Sequence, residues 1–195
     1  MSRLSTSFIL GYHGCDKKVA KAVVAGKSDI NPSQNDFDWL GHGSYFWESD
    51  PGRAMEYAEW KVKRGDFETA AVIGAIIDLR NCLDLTNRQD LKLVADIFGI
   101  YKLNQEISGL PIAENKRING DPNGDLLLRY LDCAVINLLH YLNDSSKNEK
   151  FDTVRGMFTE GGPLYEDAGF QAKTHTQVAV RDMACIKGYF WPRPG

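Results

Sequence analysis

Apolar residues in the first part of the chain recur either in short unbroken runs or at helical spacing. Short runs rich in β-branched and aromatic residues are typical of buried strands, and apolar positions three to four residues apart are typical of helices. The patterns predict three strands, at residues 8–12, 44–47 and 69–79, and two helices, at residues 15–25 and 50–63. Gly26 would end the first helix, and Asp50 and Pro51 would begin the second.

A different pattern fills the middle third of the chain. Residues 88–103 and 125–142 both show apolar positions at helical spacing, and a loop rich in glycine, proline, asparagine and aspartate separates them. After a polar run, three further short strands are predicted, at residues 151–159, 175–181 and 185–190. The helical block, at about 85–145, therefore has the position of an insertion between two groups of strands.

The order of these elements indicates one α+β domain that spans residues 1–195. Strands and helices do not alternate as they do in doubly wound folds, and no G-x-G-x-x-G sequence joins a strand to a helix. A doubly wound dinucleotide-binding fold is therefore not expected.

Composition and charge narrow the classes of function. With 43% hydrophobic and 25% charged residues the chain has ordinary globular composition, and its net charge of -3 argues against broad electrostatic binding to DNA. The four cysteines form no C-x-x-C pair, and neither a secretion signal nor an apolar stretch of membrane length stands out. We therefore expect a reduced, cytoplasmic protein without a membrane partner. The scattered histidines and cysteines predict no metal site.

The most informative segment for function is residues 39–60. It contains a Gly-x-Gly-x-Tyr-Phe turn and strand, with Tyr45, and leads into the capped helix that carries Tyr57. About thirty residues upstream, the first strand closes with His13 and Gly14. Two aromatic rings, a histidine at a strand end and glycines without side chains suit a planar ligand that carries a ribose. For each residue alone a simpler interpretation stays open: a core aromatic, a satisfied strand-end histidine or an ordinary turn glycine.

In this order, these residues resemble those of the ADP-ribosyltransferase superfamily, in particular its diphtheria-toxin and PARP-like branch. The matching elements are His13-Gly14, the Gly-x-Gly-x-Tyr-Phe segment, Tyr57 in the next helix, and Gln177 on a late strand, within residues 8–60 and 151–190. The helical insertion has no counterpart in that pattern. It is similar to insertions of bacterial toxin-like transferases, including those found beside antitoxins in phage-defence loci.

The resemblance implies an ADP-ribosyltransferase-like split β-sheet core and NAD⁺ as the co-substrate. It also implies transfer of a single ADP-ribose to a macromolecular acceptor, which could be RNA, DNA or protein. The protein would then be a toxin or a defence effector, and a cognate antitoxin would be a further partner. The insertion is then the natural place for acceptor choice. The alternatives are an NAD⁺ glycohydrolase and a catalytically weak module that binds NAD⁺ or ADP-ribose.

The resemblance assigns roles to individual residues of the binding site. His13 would bind a ribose hydroxyl, and Gly14 would pair through its backbone with the nicotinamide amide. Tyr45 and Tyr57 would sandwich the nicotinamide ring, with stacking worth about 0.5–1.5 kcal/mol for each ring. Gly43, in the turn before Tyr45, would lie in the same site.

Two positions depart from the family pattern. Gln177 stands where poly-transfer enzymes have glutamate, so chain-building activity is not expected, and Ala54 stands where the PARP-like helix has a serine that holds the amide. Glutamine can bind a ribose hydroxyl or the acceptor but cannot act as a base. Glu160, in the loop before the late strand, or His175 would then activate the acceptor. A solvated loop glutamate and a surface histidine are the simpler interpretations.

Three further positions carry expectations about packing and charge. Arg155 lies within an apolar strand pattern, so it would meet either a pyrophosphate or a buried carboxylate. Arg129 and Asp132, three residues apart on a helix, predict an ion pair. Phe46 alternates with Tyr45 along a strand and is expected in the core.

Overall fold

The computed structural model describes residues 8–118, 124–146 and 149–193, which form an α+β fold around one mixed sheet. The strands are β1 (Phe8–Asp16), β2 (Ser44–Glu48), β3 (Ala70–Asp78), β4 (Cys82–Asp84), β5 (Thr153–Phe158), β6 (His175–Val180) and β7 (Ile186–Phe190). The helices are α1 (Lys17–Val24), α2 (Pro51–Lys63), α3 (Arg88–Ser108) and α4 (Tyr130–Asp144), and a 3₁₀ turn spans Met183–Cys185. The strand order is β4-β5-β6-β2-β1-β3-β7, and neighbouring strands are antiparallel except β4 and β5.

The α+β class and most of the predicted elements are confirmed. In α2 the Asp50 side chain accepts a hydrogen bond from the Arg53 amide at 2.9 Å, and Pro51 occupies the first turn, where its missing N–H has no cost. Gly26 follows α1 with a φ of 67°, a conformation that favours glycine and ends the helix. The signals of capping chemistry were therefore sufficient to place both helices.

The first strand is longer than the sequence indicated. β1 continues to Asp16 because it pairs with β3 along its whole length. The Asp16 side chain then accepts a hydrogen bond from the Lys18 amide at 2.9 Å, which fixes the start of α1. The prediction that the strand ends at His13-Gly14 is wrong, and both residues lie inside a paired strand.

The predicted helical block consists of α3 and α4, and α4 begins at Tyr130 instead of residue 125. An isolated bridge between Lys116 and Leu128 holds the chain extended before this helix. Arg129 and Asp132 form the predicted ion pair at 3.2 Å. The strand β4 was not predicted, because three residues are too few to show a period. None of the described helices is long and apolar enough to cross a membrane.

Apolar side chains pack on both sides of the sheet. On the side covered by α1, Phe46 and Ile73 are fully buried, which confirms the prediction for Phe46. On the other side α3 and α4 cover the strands β4 to β6, with Leu83 and Ile136 in their core. The helix α2 lies over β1 and β3 on that second side.

The sheet contains a seam between β1 and β2. Their register covers only two residue pairs, Gly11 with Glu48 and Tyr12 with Trp47, and beyond Tyr12 the two strands are no longer paired. One part of the sheet, β7-β3-β1, therefore meets the other part, β2-β6-β5-β4, along a short ladder. His13, Gly14 and Tyr45 lie on the two strands that border this seam.

Candidate functional site

His13 lies at the seam and connects its two sides. Its Nδ1 atom is 2.8 Å from the carbonyl oxygen of Tyr45. If the pairing of β1 with β2 continued past Tyr12, that carbonyl would accept a hydrogen bond from the Gly14 amide. A carbonyl only accepts, so Nδ1 carries the hydrogen and Nε2 is the acceptor atom of the ring. Burial lowers the pKa of His13, so the imidazole is neutral at pH 7. The side chain can accept a hydrogen bond from a ligand hydroxyl.

The backbone of Gly14 is directed into the seam. The amide and carbonyl of successive strand residues alternate between the two neighbouring strands, and the Leu10 carbonyl accepts from the Ser49 amide, which places it on the β2 side. Tyr12 and Gly14 share this direction, and Tyr12 is the last residue paired with β2. The peptide groups of Gly14 therefore point past the end of the ladder, where a flat amide can pair with them.

Gly14 also lies where α2 packs tightly against the sheet. A Cβ atom at this position would lie 2.0 Å from the carbonyl oxygen of Ala54. Both Ala54 and Ala58 are fully buried on the face of α2 that covers β1. The glycine is thus required by helix packing, and neither a turn nor the ligand alone accounts for it.

The phenol of Tyr45 holds the turn that precedes β2. Its hydroxyl donates to the Gly41 carbonyl at 2.8 Å and accepts from the Leu40 amide at 2.9 Å. Gly41 has a φ of 76°, a backbone conformation that glycine adopts without strain and that other residues rarely adopt. The ring packs against the core beneath α4, and burial, the first cause, raises the pKa of Tyr45 well above its ordinary value. Tyr45 therefore has a structural role in addition to any contact with ligand.

Tyr45→Phe should lower the free energy of unfolding by about 1–3 kcal/mol, because two buried backbone groups lose their partner. Urea unfolding at pH 7 measures the change. The matched control is Tyr141→Phe, at a tyrosine that is 67% exposed, and it should change stability by less than about 0.5 kcal/mol. Equal effects of the two substitutions would contradict the role of the Tyr45 hydroxyl.

Tyr57 lies next to Trp47 and not next to Tyr45. The centroids of the Tyr57 and Trp47 rings are 5.3 Å apart with an interplanar angle of 45°, and Trp60 lies 5.9 Å from Tyr57. In the described part of the chain, Tyr45 and Tyr57 pack in different clusters and make no ring contact with each other. Alternation along β2 places Tyr45 and Trp47 on the same side of the sheet, so Trp47 is an aromatic of the site that the sequence interpretation missed.

Gln177 is anchored by a tryptophan. It lies opposite Trp47 in the register of β2 and β6, and its Oε1 atom accepts a hydrogen bond from Trp39 Nε1 at 2.7 Å. With the oxygen occupied in this way, the side chain presents its NH₂ group as a donor. The Trp39 ring also meets the edge of Phe158 at 5.0 Å.

A buried group of charged and aromatic side chains continues from Gln177, and we call it the His175 cluster; it contains Trp47, Arg53, Phe158, Glu160 and His175. Glu160 is 9% exposed and forms an ion pair with Arg53. His175 is 8% exposed, stacks on Phe158 at 5.7 Å and approaches Glu160 Oε1 to 3.7 Å. The solvated and surface interpretations of Glu160 and His175 are therefore wrong.

Three polar atoms of the His175 cluster are buried without a hydrogen-bond partner in the described part of the chain: Trp47 Nε1, Arg53 Nε and His175 Nε2. Each such atom costs about 1–3 kcal/mol when it stays unpaired in a folded protein. Two donors and one acceptor of the same cluster therefore have hydrogen-bonding capacity that the protein itself does not use. This clustering singles out the region beside Tyr57 and Gln177 as the candidate site.

Arg155 and Gly43 are occupied within the protein. The Arg155 guanidinium donates to both oxygens of Glu48, at 2.6 and 3.2 Å, and to Asp84 at 3.3 Å. Of the two partners expected from the sequence, the carboxylate is therefore the one present, and Arg155 lies on the side of the sheet opposite to Gln177. The amide and carbonyl of Gly43 both pair with Ser33. The structure thus does not bring Arg155 into the site, and Gly43 contributes through the shape of the turn.

A cavity of about 680 Å³ adjoins the site on the side of the helical block. Its lining is mostly apolar and includes Trp39, Leu85, Phe98, Leu131, Ile136 and Met157. Trp39 is shared by this cavity and by Gln177. The helical block thus borders the candidate site.

The cysteines offer little nucleophilic character. All four are free thiols, and Cys15, Cys133 and Cys185 are buried. Burial, with a smaller effect of Asp16, raises the pKa of Cys15 to about 11, so the thiol is protonated at pH 7. Over residues 8–118, 124–146 and 149–193, no three His, Cys, Asp or Glu side chains are grouped as a metal ion would require.

The chain is similar to a known protein of uncharacterized function. Over 198 aligned residues the chain is 29% identical to the uncharacterized protein MJ0359 of Methanocaldococcus jannaschii, and the match covers 92% of this chain and 85% of that protein. No protein-family model matches the chain. No solved structure matches it either. The conclusion on function therefore depends on the geometry of the seam and of the His175 cluster.

Proposed function

We propose that the protein binds NAD⁺ at the seam, releases nicotinamide and transfers a single ADP-ribose to a macromolecular acceptor. The observation that carries this proposal is the direction of the Gly14 peptide groups, which point past the last β1–β2 pair. His13 flanks this point on one side of the sheet, and the rings of Tyr57 and Trp47 lie on the other side. A primary amide offers one acceptor and two donors, so a strand backbone can pair with nicotinamide as it would with a neighbouring strand.

In this proposal, each residue of the site binds a different part of NAD⁺. Tyr57 provides a flat surface beside the amide site for the nicotinamide ring. Nε2 of neutral His13 accepts a hydrogen bond from a ribose hydroxyl, and the NH₂ group of Gln177 donates one to the ribose on the nicotinamide side. Since Trp39 fixes the Gln177 amide, the donor is held in place before the ligand binds.

The bond between nicotinamide and ribose can break without a general acid. Nicotinamide is a cationic substituent in NAD⁺, and it leaves with the bonding electron pair as a neutral ring. The sugar passes through an oxocarbenium-like state, as in glycoside hydrolysis. The protein contributes by orienting the dinucleotide and by excluding water around the reacting carbon. A site of glycines, aromatic rings and one amide is sufficient for these tasks.

Purified protein should release nicotinamide from labelled NAD⁺ and attach the label to one fraction of a cell lysate, separated into RNA, DNA and protein. Tyr57→Ala should reduce the release about two- to tenfold at subsaturating NAD⁺, since stacking is worth about 0.5–1.5 kcal/mol and 1.4 kcal/mol is a factor of ten. Tyr141→Ala, at the exposed tyrosine of α4, is the control and should release nicotinamide as the wild type does.

The possible outcomes separate the alternatives. Release without label on any macromolecule identifies an NAD⁺ glycohydrolase. Tight binding of NAD⁺ without release identifies a reader module. If the wild type neither binds nor cleaves NAD⁺, the proposal is wrong.

A further inference from the structure

His175 has a free lone pair in a buried position that the cleavage of NAD⁺ does not use. Its Nδ1 atom lies 2.7 Å from the carbonyl oxygen of Lys173. Because a carbonyl only accepts, Nδ1 carries the hydrogen, and Nε2 is the unprotonated nitrogen of the neutral ring. Nε2 is buried and has no hydrogen-bond partner in the described part of the chain.

The strand β6 places His175 beside the residue that would hold the ribose. His175 and Gln177 are two positions apart, so their side chains leave the same side of the strand about 7 Å from each other. Phe158 stacks on His175 at 5.7 Å, and Trp39 connects Phe158 to Gln177. Aromatic rings thus hold the imidazole in a fixed position, and the gap between it and the Gln177 amide is about as wide as a sugar ring.

Charged groups from two other segments surround the imidazole. Arg53 of α2 and Asp50, the residue that caps this helix, act on its charge, and from the loop after β5 Glu160 approaches to 3.7 Å. Burial, the largest cause, lowers the pKa of His175, and Arg53 lowers it further, whereas the Lys173 carbonyl and the two carboxylates oppose these effects. The ring is therefore neutral at pH 7, and Glu160 can stabilise the cation that forms when the ring takes up a proton.

We propose that Nε2 of His175 is the base that removes the proton of the acceptor during transfer, an inference that rests on the proposed function. The bond between ribose and nicotinamide breaks, and nicotinamide leaves with the electron pair. A lone pair on a hydroxyl or amino group of the acceptor forms the new bond to the same carbon. The proton of that group moves to Nε2, which gives an imidazolium beside the carboxylate of Glu160.

The neighbouring groups are less suited to this role. Gln177 cannot take up a proton. Glu160 is held by Arg53, so its carboxylate acts as a counter-ion to the histidine instead of a base. His13 lies across the seam, and its pairing with the Tyr45 carbonyl directs it to the dinucleotide. His175 therefore supplies the chemical function that is absent at position 177.

The test compares His175→Gln with the wild type, with labelled NAD⁺ and with RNA, DNA and protein from a lysate supplied separately. General-base catalysis is worth about 10²–10⁴ in rate, so His175→Gln should transfer label at least about 10² more slowly. Its affinity for NAD⁺, measured by titration calorimetry, should stay within about threefold of the wild type, because the imidazole does not hold the dinucleotide. His42→Gln, at an exposed histidine, serves as the control and should transfer at the wild-type rate.

The pH dependence provides a second measurement that does not depend on this variant. The wild-type transfer rate should be level between pH 7 and 8.5 and should fall below the lowered pKa of His175, as the base becomes protonated. Glu160→Gln removes a charge that stabilises the imidazolium, so the fall should move to lower pH.

Three results would overturn the inference. The first is a transfer rate of His175→Gln within about threefold of the wild-type rate. The second is a loss of NAD⁺ affinity in that variant as large as its loss of transfer rate. The third is a wild-type transfer rate that does not fall as the pH is lowered. A wild type that does not release nicotinamide at all would instead refute the proposed function, so the two failures are distinguishable.

Discussion

Gly14→Ala is expected to lower the free energy of unfolding by about 3 kcal/mol, the upper part of the range for overpacked cores. The new Cβ atom would lie 2.0 Å from the carbonyl oxygen of Ala54 and 3.3 Å from Ala58 Cβ. A backbone atom of a helix cannot rotate away as a side chain can. The whole of α2 therefore has to move off β1, and the buried contacts of Ala54 and Ala58 loosen together.

Gly99→Ala is the matched control for this substitution. Gly99 lies in the interior of α3, and a Cβ atom there would meet no other atom within 4 Å. Alanine should stabilise that helix by about 0.5–1 kcal/mol, because glycine loses more backbone entropy on folding. Urea unfolding of both variants at pH 7 measures the difference. Similar midpoints for the two variants would mean that α2 does not approach β1 as closely as the structure shows.

His140→Phe should reduce the acid sensitivity of the protein. His140 in α4 is 4% exposed, and neither ring nitrogen has a hydrogen-bond partner in the described part of the chain. Burial, followed by the charge of Arg181, lowers the pKa of His140 to about 3, while Asp144 acts in the opposite direction. The cation would be formed in a buried position beside the Phe151 ring.

The direction of the effect follows from proton uptake. Between about pH 6.5, the ordinary histidine value, and pH 3 the unfolded chain binds a proton at His140 that the folded protein does not bind. The free energy of unfolding therefore falls as the pH falls through this range, by roughly 1.4 kcal/mol per unit. Between pH 7 and pH 4 the wild type should lose about 3 kcal/mol more than His140→Phe.

Urea unfolding of both proteins at pH 4, 5, 6 and 7 measures this difference. Above pH 7 the two stability curves should run parallel, because the histidine is neutral in the folded and the unfolded state. Phenylalanine has a ring of similar shape, so any constant offset reports its packing against Phe151 and is separated from the pH-dependent part. Curves that stay parallel down to pH 4 would show that His140 is not protonated on unfolding.

The sequence predicted best where local chemistry determines the structure. Asp50 and Pro51 specify the start of α2 through one hydrogen bond and one missing amide hydrogen, and both follow from the residue types alone. Phe46 was placed in the core by alternation along a strand. The three strands after the helical block also follow from local apolar runs. These features require no knowledge of contacts that are distant along the chain.

The remaining differences arise from contacts between distant segments. β1 extends past Gly14 because β3 pairs with it, and a run of residues 8–12 carries no sign of that partner. The burial of Glu160 depends on Arg53, more than a hundred residues earlier in the chain. The family resemblance predicts Tyr45 as the aromatic partner of Tyr57. In the structure the position of α2 makes Trp47 the neighbour of Tyr57 instead.

The parallel pairing of β4 with β5 has a consequence for how this architecture can be modified. The helical block, a segment of more than sixty residues, leaves the sheet at the end of β4 and returns at the start of β5. Parallel pairing puts these two points at opposite ends of the paired strands, but β4 has only three residues, so the points stay close to each other. A foreign segment could replace the block if it begins and ends at the same two points. Because Val135, Ile136 and Leu139 of α4 form part of the core over the sheet, the replacement must bring its own apolar surface. A graft that keeps those buried positions and alters the exposed ones should leave the sheet and its seam intact.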